Sequence, residues 1–172
     1  ISLTVRWIAS KDNVLADALS RGSPFDDLTL TDEAWRELEW RWGPHTIDRY
    51  ATAETAFNSL LPEAGSAGAA ALAQEWMGEN NYVFPPPAEL PRIAQLLQER
   101  PAVAATLVVP HWPAQAWFQQ LADVAEHVET RPLAAVARPA GWLPTSALTA
   151  LSGAMLTFVR VAGRPAGRIG GV

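Results

Sequence analysis

Apolar positions along the chain switch between two spacings, and the switches predict the elements. Ser2–Ile8 alternates and is rich in β-formers, which predicts a strand, and residues 13–20 follow as a short helix. Gly22-Ser23-Pro24 marks a boundary. Trp35, Leu38 and Trp42 share one helical face, with Thr31 as N-cap, Asp32 and Glu33 in the first turn, and Gly43-Pro44 as the stop. Glu33, Glu37 and Glu39 read as the solvated face of that helix. Residues 46–50 predict a short strand, 53–61 a helix, and the Ala/Gly/Ser run at 64–73 a loop or weak helix. Residues 81–84 predict a strand running into Pro85-Pro86-Pro87. A helix then carries Ile93, Leu96 and Leu97 inward, with Pro91 in its first turn, where proline costs no hydrogen bond. Val103–Val109 is almost continuously apolar, the pattern of a strand covered on both faces. Pro113 opens a helix with Trp117, Leu121, Val124 and Ala125 inward, and strands follow near 127–133 and at 154–162.

From residue 31 onward, helices and strands mostly alternate. This predicts an α/β fold: a mainly parallel, Rossmann-like three-layer sheet with helices on both faces. Ligands of such sheets sit beyond the carboxyl ends of the strands. The loops after 46–50, 81–84 and 103–109 are therefore the places to look for chemistry.

Composition narrows the classes. The 172 residues include no cysteine, which excludes disulfides, thiolate metal sites and a cysteine nucleophile. Apolar residues make up 49%, too many for a disordered chain, and no apolar run approaches the roughly 20 residues that cross a bilayer. The formal net charge of −5 is uneven. All 18 acidic residues precede residue 131, and 131–172 holds five arginines and no acid, a pattern compatible with a basic tail against nucleic acid or acidic protein. No Gly-x-Ser-x-Gly nucleophile context occurs. His45 and His111 both fall near strand ends, but two histidines without a third ligand do not define a zinc site.

Two groups of motifs carry family resemblances. Trp7-Ile8-Ala9-Ser10-Lys11-Asp12-Asn13-Val14-Leu15-Ala16-Asp17-Ala18-Leu19-Ser20-Arg21 resembles the end of the ribonuclease H domain of retrotransposon polyproteins. That resemblance implies that Asp17 is one of four carboxylates holding two divalent metal ions, Mg in the complete domain, with the other three upstream. Positions 8–12 lack the histidine that many members carry there. One carboxylate cannot hold two metals, so residues 1–22 alone are expected to be inactive, with no cofactor.

Trp42–Thr52, Tyr82–Pro86 and Val109–Phe118, in that order, resemble the segment that follows ribonuclease H in DIRS-like retroelements, itself similar to the Dam-type adenine methyltransferases of phages. The resemblance implies that Asp48 matches the acid that binds a polar part of S-adenosylmethionine. It also implies that Phe84-Pro85-Pro86-Pro87 matches the catalytic Asp/Asn-Pro-Pro-aromatic. That motif accepts hydrogen bonds from the exocyclic amine of a flipped adenine and stacks on its ring. Phe84 has no lone pair to offer, and Pro87 cannot stack as an aromatic does. Asn80 or Asn81 would supply an acceptor only through a register shift. The absence of glycine between Asp48 and Gly65 also weighs against a cofactor loop. His111 and Trp112 are expected at the mouth of the strand-end cleft, stacking on a base or a partner aromatic.

The resulting expectation is an internal piece of a retroelement polyprotein, opening on Ile1 without an initiator Met. Residues 1–22 end a ribonuclease H domain, 23–163 form a methyltransferase-like domain without methyl transfer, and 164–172 form a flexible tail. The expected partner is nucleic acid, RNA or DNA, with no membrane, in the cytoplasm and nucleus of a eukaryotic host. The alternative is an active adenine-DNA methyltransferase.

Overall fold

The computed structural model describes residues 25–26, 28–50, 69–139, 147, 149 and 151–163. The strand at 2–8, the helix at 13–20 with Asp17, the helix at 53–61 and the tail 164–172 lie outside the described residues. Described elements run β1 (Leu28–Leu30), α1 (Asp32–Trp42), β2 (Ile47–Asp48), α2 (Ala69–Ala73), β3 (Asn80–Val83), a 3-10 turn (Pro87–Glu89), α3 (Leu90–Glu99) and β4 (Ala104–Pro110). They continue with α4 (Ala116–Val124), β5 (His127–Pro132), α5 (Leu133–Val136), β6 (Ala137–Pro139) and β7 (Met155–Ala162).

The protein is mixed α/β, built on an open five-stranded sheet of order β2-β3-β4-β7-β5. β2, β3 and β4 are parallel neighbours, and β7 runs antiparallel to both β4 and β5. The sheet is therefore mixed rather than mainly parallel. Parallel neighbours need a long crossover, and the segments between β2 and β3 and between β3 and β4 supply one each. Between β5 and β7 the chain instead makes α5 and β6, and the last strand enters reversed. β6 pairs with β1 in a separate two-stranded antiparallel ribbon.

β4 explains why the middle of the sheet is stable. Ala105, Leu107 and Val109 enter one core with Ile93 and Leu97 of α3, Trp117 and Leu121 of α4, and Trp76. Val108 enters a second core with Ala34 and Leu38 of α1, Leu28 and Leu30 of β1, and Leu133 and Val136 of α5. Helices thus cover both faces, as the unbroken apolar run requires. α1 begins where Thr31 Oγ1 accepts the Ala34 amide at 3.3 Å and ends where the Gly43 amide donates to the Glu39 carbonyl at 3.0 Å. Leu96 is only half-buried on α3. α4 starts at Ala116, beyond the Pro113-Ala114-Gln115 turn, and Ala125 is its C-cap. Of the three tryptophans on α1, Trp35 and Trp42 are half-buried and Trp40 is 86% exposed.

Glu37 and Glu39 are not a solvated face; of the three glutamates only Glu33 is exposed. Glu37 Oε2 and Oε1 take both terminal nitrogens of Arg131, at 2.7 and 2.5 Å. Glu129 accepts from Arg41 at 2.7 Å and from Arg131 at 2.5 Å. Two acids and two arginines thus clip α1 onto the edge strand β5. The Arg131 and Arg41 guanidinium groups hold the Glu129 carboxyl down to about 2, and Arg131 also lowers Glu37. A depressed carboxylate stabilises the fold above its unfolded value, and that contribution is lost as pH falls through its folded value. Stability is therefore expected to decline between pH about 4.5 and about 2. These side chains are between 24% and 38% exposed, so screening keeps the contribution near 1 kcal/mol. Thermal melts at pH 6 and pH 3 check this, and Glu129→Gln is expected to flatten the difference.

Candidate functional site at the strand ends

The parallel strands β2, β3 and β4 end at Asp48, Val83 and Pro110. Because the three run the same way, Asp48, Phe84-Pro85-Pro86-Pro87 and His111-Trp112 all leave the sheet at its carboxyl end. Register places Asp48 beside Tyr82, and Val83 beside Leu107, so β4 projects three residues beyond β3. The end of the sheet is stepped, with His111-Trp112 on the highest step.

Asp48 Oδ1 accepts the Tyr50 amide at 3.0 Å, a local turn that holds the carboxyl at the end of a two-residue strand. Burial pushes this carboxyl up to about 6, against the opposing pull of the Tyr50 amide. Two further polar atoms on the loops after β2 and β3, Tyr50 Oη and Glu89 Oε2, are buried without a hydrogen-bond partner. Burial and the Glu89 charge both raise the Tyr50 phenol. Each orphaned group costs about 1–3 kcal/mol. Two oxygens at this end are thus buried with unmet hydrogen-bonding capacity, and Asp48 adds a half-buried carboxyl.

Phe84 is half-buried and packs against the α1-side core, while Pro85 and Pro87 are buried. Trp112 packs against both cores, edge-to-face with Phe25 at 5.5 Å and near Trp117 at 6.2 Å. It is half-buried, and only part of its ring meets solvent. His111 is exposed. Its Nδ1 lies 3.0 Å from Thr157 Oγ1, and its ring stands edge-on to Phe118. Thr130 Oγ1 continues this chain 3.0 Å from Thr157 Oγ1. The open part of the site is therefore His111 with the free edge of Trp112.

Asn80 and Asn81 open β3, at the opposite end of the sheet, and both are fully engaged. Asn80 Nδ2 donates to the Trp42 and Pro44 carbonyls, and its Oδ1 accepts from Arg160 at 2.7 Å. Asn81 Nδ2 donates to the Trp76, Glu79 and Ala104 carbonyls. Its Oδ1 accepts from Arg49 Nε at 2.7 Å. Both carbonyl oxygens are already bonded and lie at the amino end of β3, so a register shift supplies no acceptor at the carboxyl end. His45 is also remote from His111. It bonds to Thr106, and the five residues from Thr106 to His111 span about 16 Å of strand. Among the described residues, no group of three or more His, Asp or Glu is placed to hold a metal ion, and no helix is long and apolar enough to cross a membrane.

Residue spacing pointed to Asp48, the proline run and His111-Trp112. It missed Tyr50 and Glu89, whose signal is burial without a partner, a property no local pattern carries. It also missed Arg49, which looks like an ordinary surface charge in sequence and is buried here. No family model, curated protein or solved structure matches the chain.

Proposed function

We propose that this chain is part of a retroelement polyprotein, in which the end of a ribonuclease H domain (residues 1–22) precedes a Rossmann-like, methyltransferase-like module that engages nucleic acid without transferring a methyl group. The observation that carries this reading is Phe84. It stands first after β3, where the Asp/Asn-Pro-Pro-aromatic motif places its acceptor, and its ring packs into the core. A hydrocarbon ring accepts no hydrogen bond from an exocyclic amine. Pro87, at the stacking position, is buried.

For S-adenosylmethionine the fit is partial. Asp48, Tyr50 and Glu89 offer polar atoms to a polar ligand, but no residue at the Phe84 position completes the chemistry, so no methyl-transfer step follows. What remains accessible suits stacking: an exposed imidazole whose Nδ1 is tied down by Thr157, and the edge of an indole. The chain's acidity makes stacking, rather than phosphate attraction, the main source of affinity.

Fluorescence anisotropy of a labelled single-stranded oligonucleotide, titrated with the full chain, tests the binding. Saturable binding is expected, weakened about tenfold by His111→Ala, the loss of one stacking contact worth roughly 1.4 kcal/mol. No binding at low salt, or binding indifferent to His111→Ala, contradicts the reading. The upstream reading frame is a separate check. It is expected to encode the remaining ribonuclease H carboxylates and a Tyr/Phe-x-Asp-Asp polymerase signature.

A further inference from the structure

We propose that Glu39, His45, Thr106 and Arg160 form a one-way hydrogen-bond chain that fixes His45 as the neutral, Nδ1-protonated tautomer. The chain latches residues 43–46, the entry to β2, to the sheet, and acid releases the latch.

The direction follows from donors and acceptors. A guanidinium only donates. Arg160 Nη1 gives hydrogen bonds to Asn80 Oδ1 at 2.7 Å and to Thr106 Oγ1 at 3.0 Å. Thr106 is fully buried in β4, and its single hydroxyl proton needs an acceptor. His45 Nε2, at 2.8 Å, is that acceptor. It can accept only when unprotonated, which leaves the ring proton on Nδ1, facing the Glu39 carboxylate. Glu39 also accepts the His45 amide, at 3.2 and 3.4 Å. In this one arrangement every polar atom of the chain is satisfied. The other tautomer fails twice. It leaves the Thr106 proton without an acceptor, and it turns a lone pair of Nδ1 toward a carboxylate.

Full protonation of His45 is penalised by the same Thr106 contact and by Arg160. Among the described residues, the ionisable or charged groups facing the ring are Glu39 from α1, Tyr82 from β3 and Arg160 from β7. β4 contributes only the Thr106 hydroxyl, and Trp35 of α1 a ring contact at 5.6 Å. Glu126 acts on Arg160, and Asp48 on Tyr82, one step further out. Burial lowers the imidazole below its ordinary value, against the upward pull of Glu39. A histidine lowered in the fold stabilises it fully above its unfolded value of about 6.5, and that stability drains away as pH falls toward the folded value.

The latch matters because β2, tied at its far end by the Arg49 side chain, is held at its near end by few groups. Its ladder with β3 is two residues long. The chain entering it is held by the His45 side chain, by the Thr46 amide on the Asn80 carbonyl at 3.0 Å, and by Asn80 Nδ2 on the Trp42 and Pro44 carbonyls. Asn80 is itself bonded to Arg160. Opening the chain at His45 therefore loosens the entry to the strand that carries Asp48, while Arg49 still holds the far end.

Long-range proton–nitrogen NMR of the full chain reads the tautomer directly. Only three histidines are present, and His111→Asn and His127→Asn identify the His45 signals. At pH 7 His45 is expected to carry its proton on Nδ1, to keep it in Thr106→Ser, and to lose the preference in the Thr106→Val, Glu39→Ala double variant, which removes both determinants. Hydrogen exchange of the His45 and Thr46 amides, which donate to the Glu39 carboxylate and the Asn80 carbonyl, is the second readout. Their protection is expected to fall below pH 6.5 by up to about tenfold per pH unit, the limit for one coupled proton, while Leu107 and Val159 stay protected. A His45 protonated on Nε2 at pH 7 overturns the proposal, as does protection of these two amides unchanged between pH 7 and pH 5.

Discussion

Arg49→Ala is expected to destabilise the protein by about 3–5 kcal/mol, from an orphaned buried acceptor worth about 1–3 and a comparable loss of packing. Arg49 follows the edge strand β2, yet it is only 5% exposed. Its Nε donates to Asn81 Oδ1 at 2.7 Å, Nη1 to Gln74 Oε1 at 2.7 Å, and Nη2 to the Glu75 carbonyl at 2.6 Å. The guanidinium also lies 5.1 Å from the centre of the Trp76 ring, and Trp76 is fully buried. One planar fork thus ties β2, β3 and the 74–76 turn together. Removing it leaves Asn81 Oδ1 buried without a donor and opens a gap over Trp76. Lysine has no fork and is expected to recover only part of the loss. Urea denaturation measures this. With slopes of about 1–3 kcal/mol per molar, the midpoint is expected to drop by more than 1 M. Arg49 and Trp76 are in contact, so a double-mutant cycle with Trp76→Phe is expected to show coupling rather than additivity.

Gly43→Ala is expected to cost about 1–3 kcal/mol through overpacking, although the glycine has an ordinary backbone conformation. The reason is space. A Cβ at residue 43 would stand 2.4 Å from the Glu39 carbonyl oxygen, 2.6 Å from Glu39 Oε2 and 3.0 Å from Glu39 Cα. The carboxylate can swing aside only by leaving His45, and the carbonyl cannot retreat without breaking the Gly43 amide bond that ends α1. The substitution therefore strikes the helix end and the His45 chain together. Thermal unfolding measures the loss. Gly43→Ala and Glu39→Gln are expected to couple in a double-mutant cycle, since each removes the same contact.

What the chain's pattern revealed and what it hid have physical causes. β4 was legible because a strand covered on both faces must be apolar at nearly every position. α1 was legible because its cap, its buried stripe and its Gly-Pro stop all agree. β1 and β6 have three residues each, too few for a period to register, and α5 has four. The reversal of β7 leaves no local trace, because a strand has the same alternation in either direction. Polar residues were the hardest to read. Glu37 and Glu39 lie on a face that looks solvent-directed until β5 and the 43–46 connection are folded against it. Asn80 and Asn81, adjacent in sequence, point to opposite faces and serve separate networks. Three strand-end positions did come to one end of the sheet, since a βαβ run places successive strand ends together. The packing of Phe84 against the α1-side core and the tethering of His111 depend on partners far along the chain.

Labelled methyl transfer from S-adenosylmethionine to adenine-containing DNA, run with the purified full chain at saturating cofactor, tests the central claim most directly. With Phe84 where the proposed motif would place its acceptor, no label is expected to reach the DNA. Label on the adenine exocyclic amine, abolished by Asp48→Asn, would contradict the account and establish a working methyltransferase.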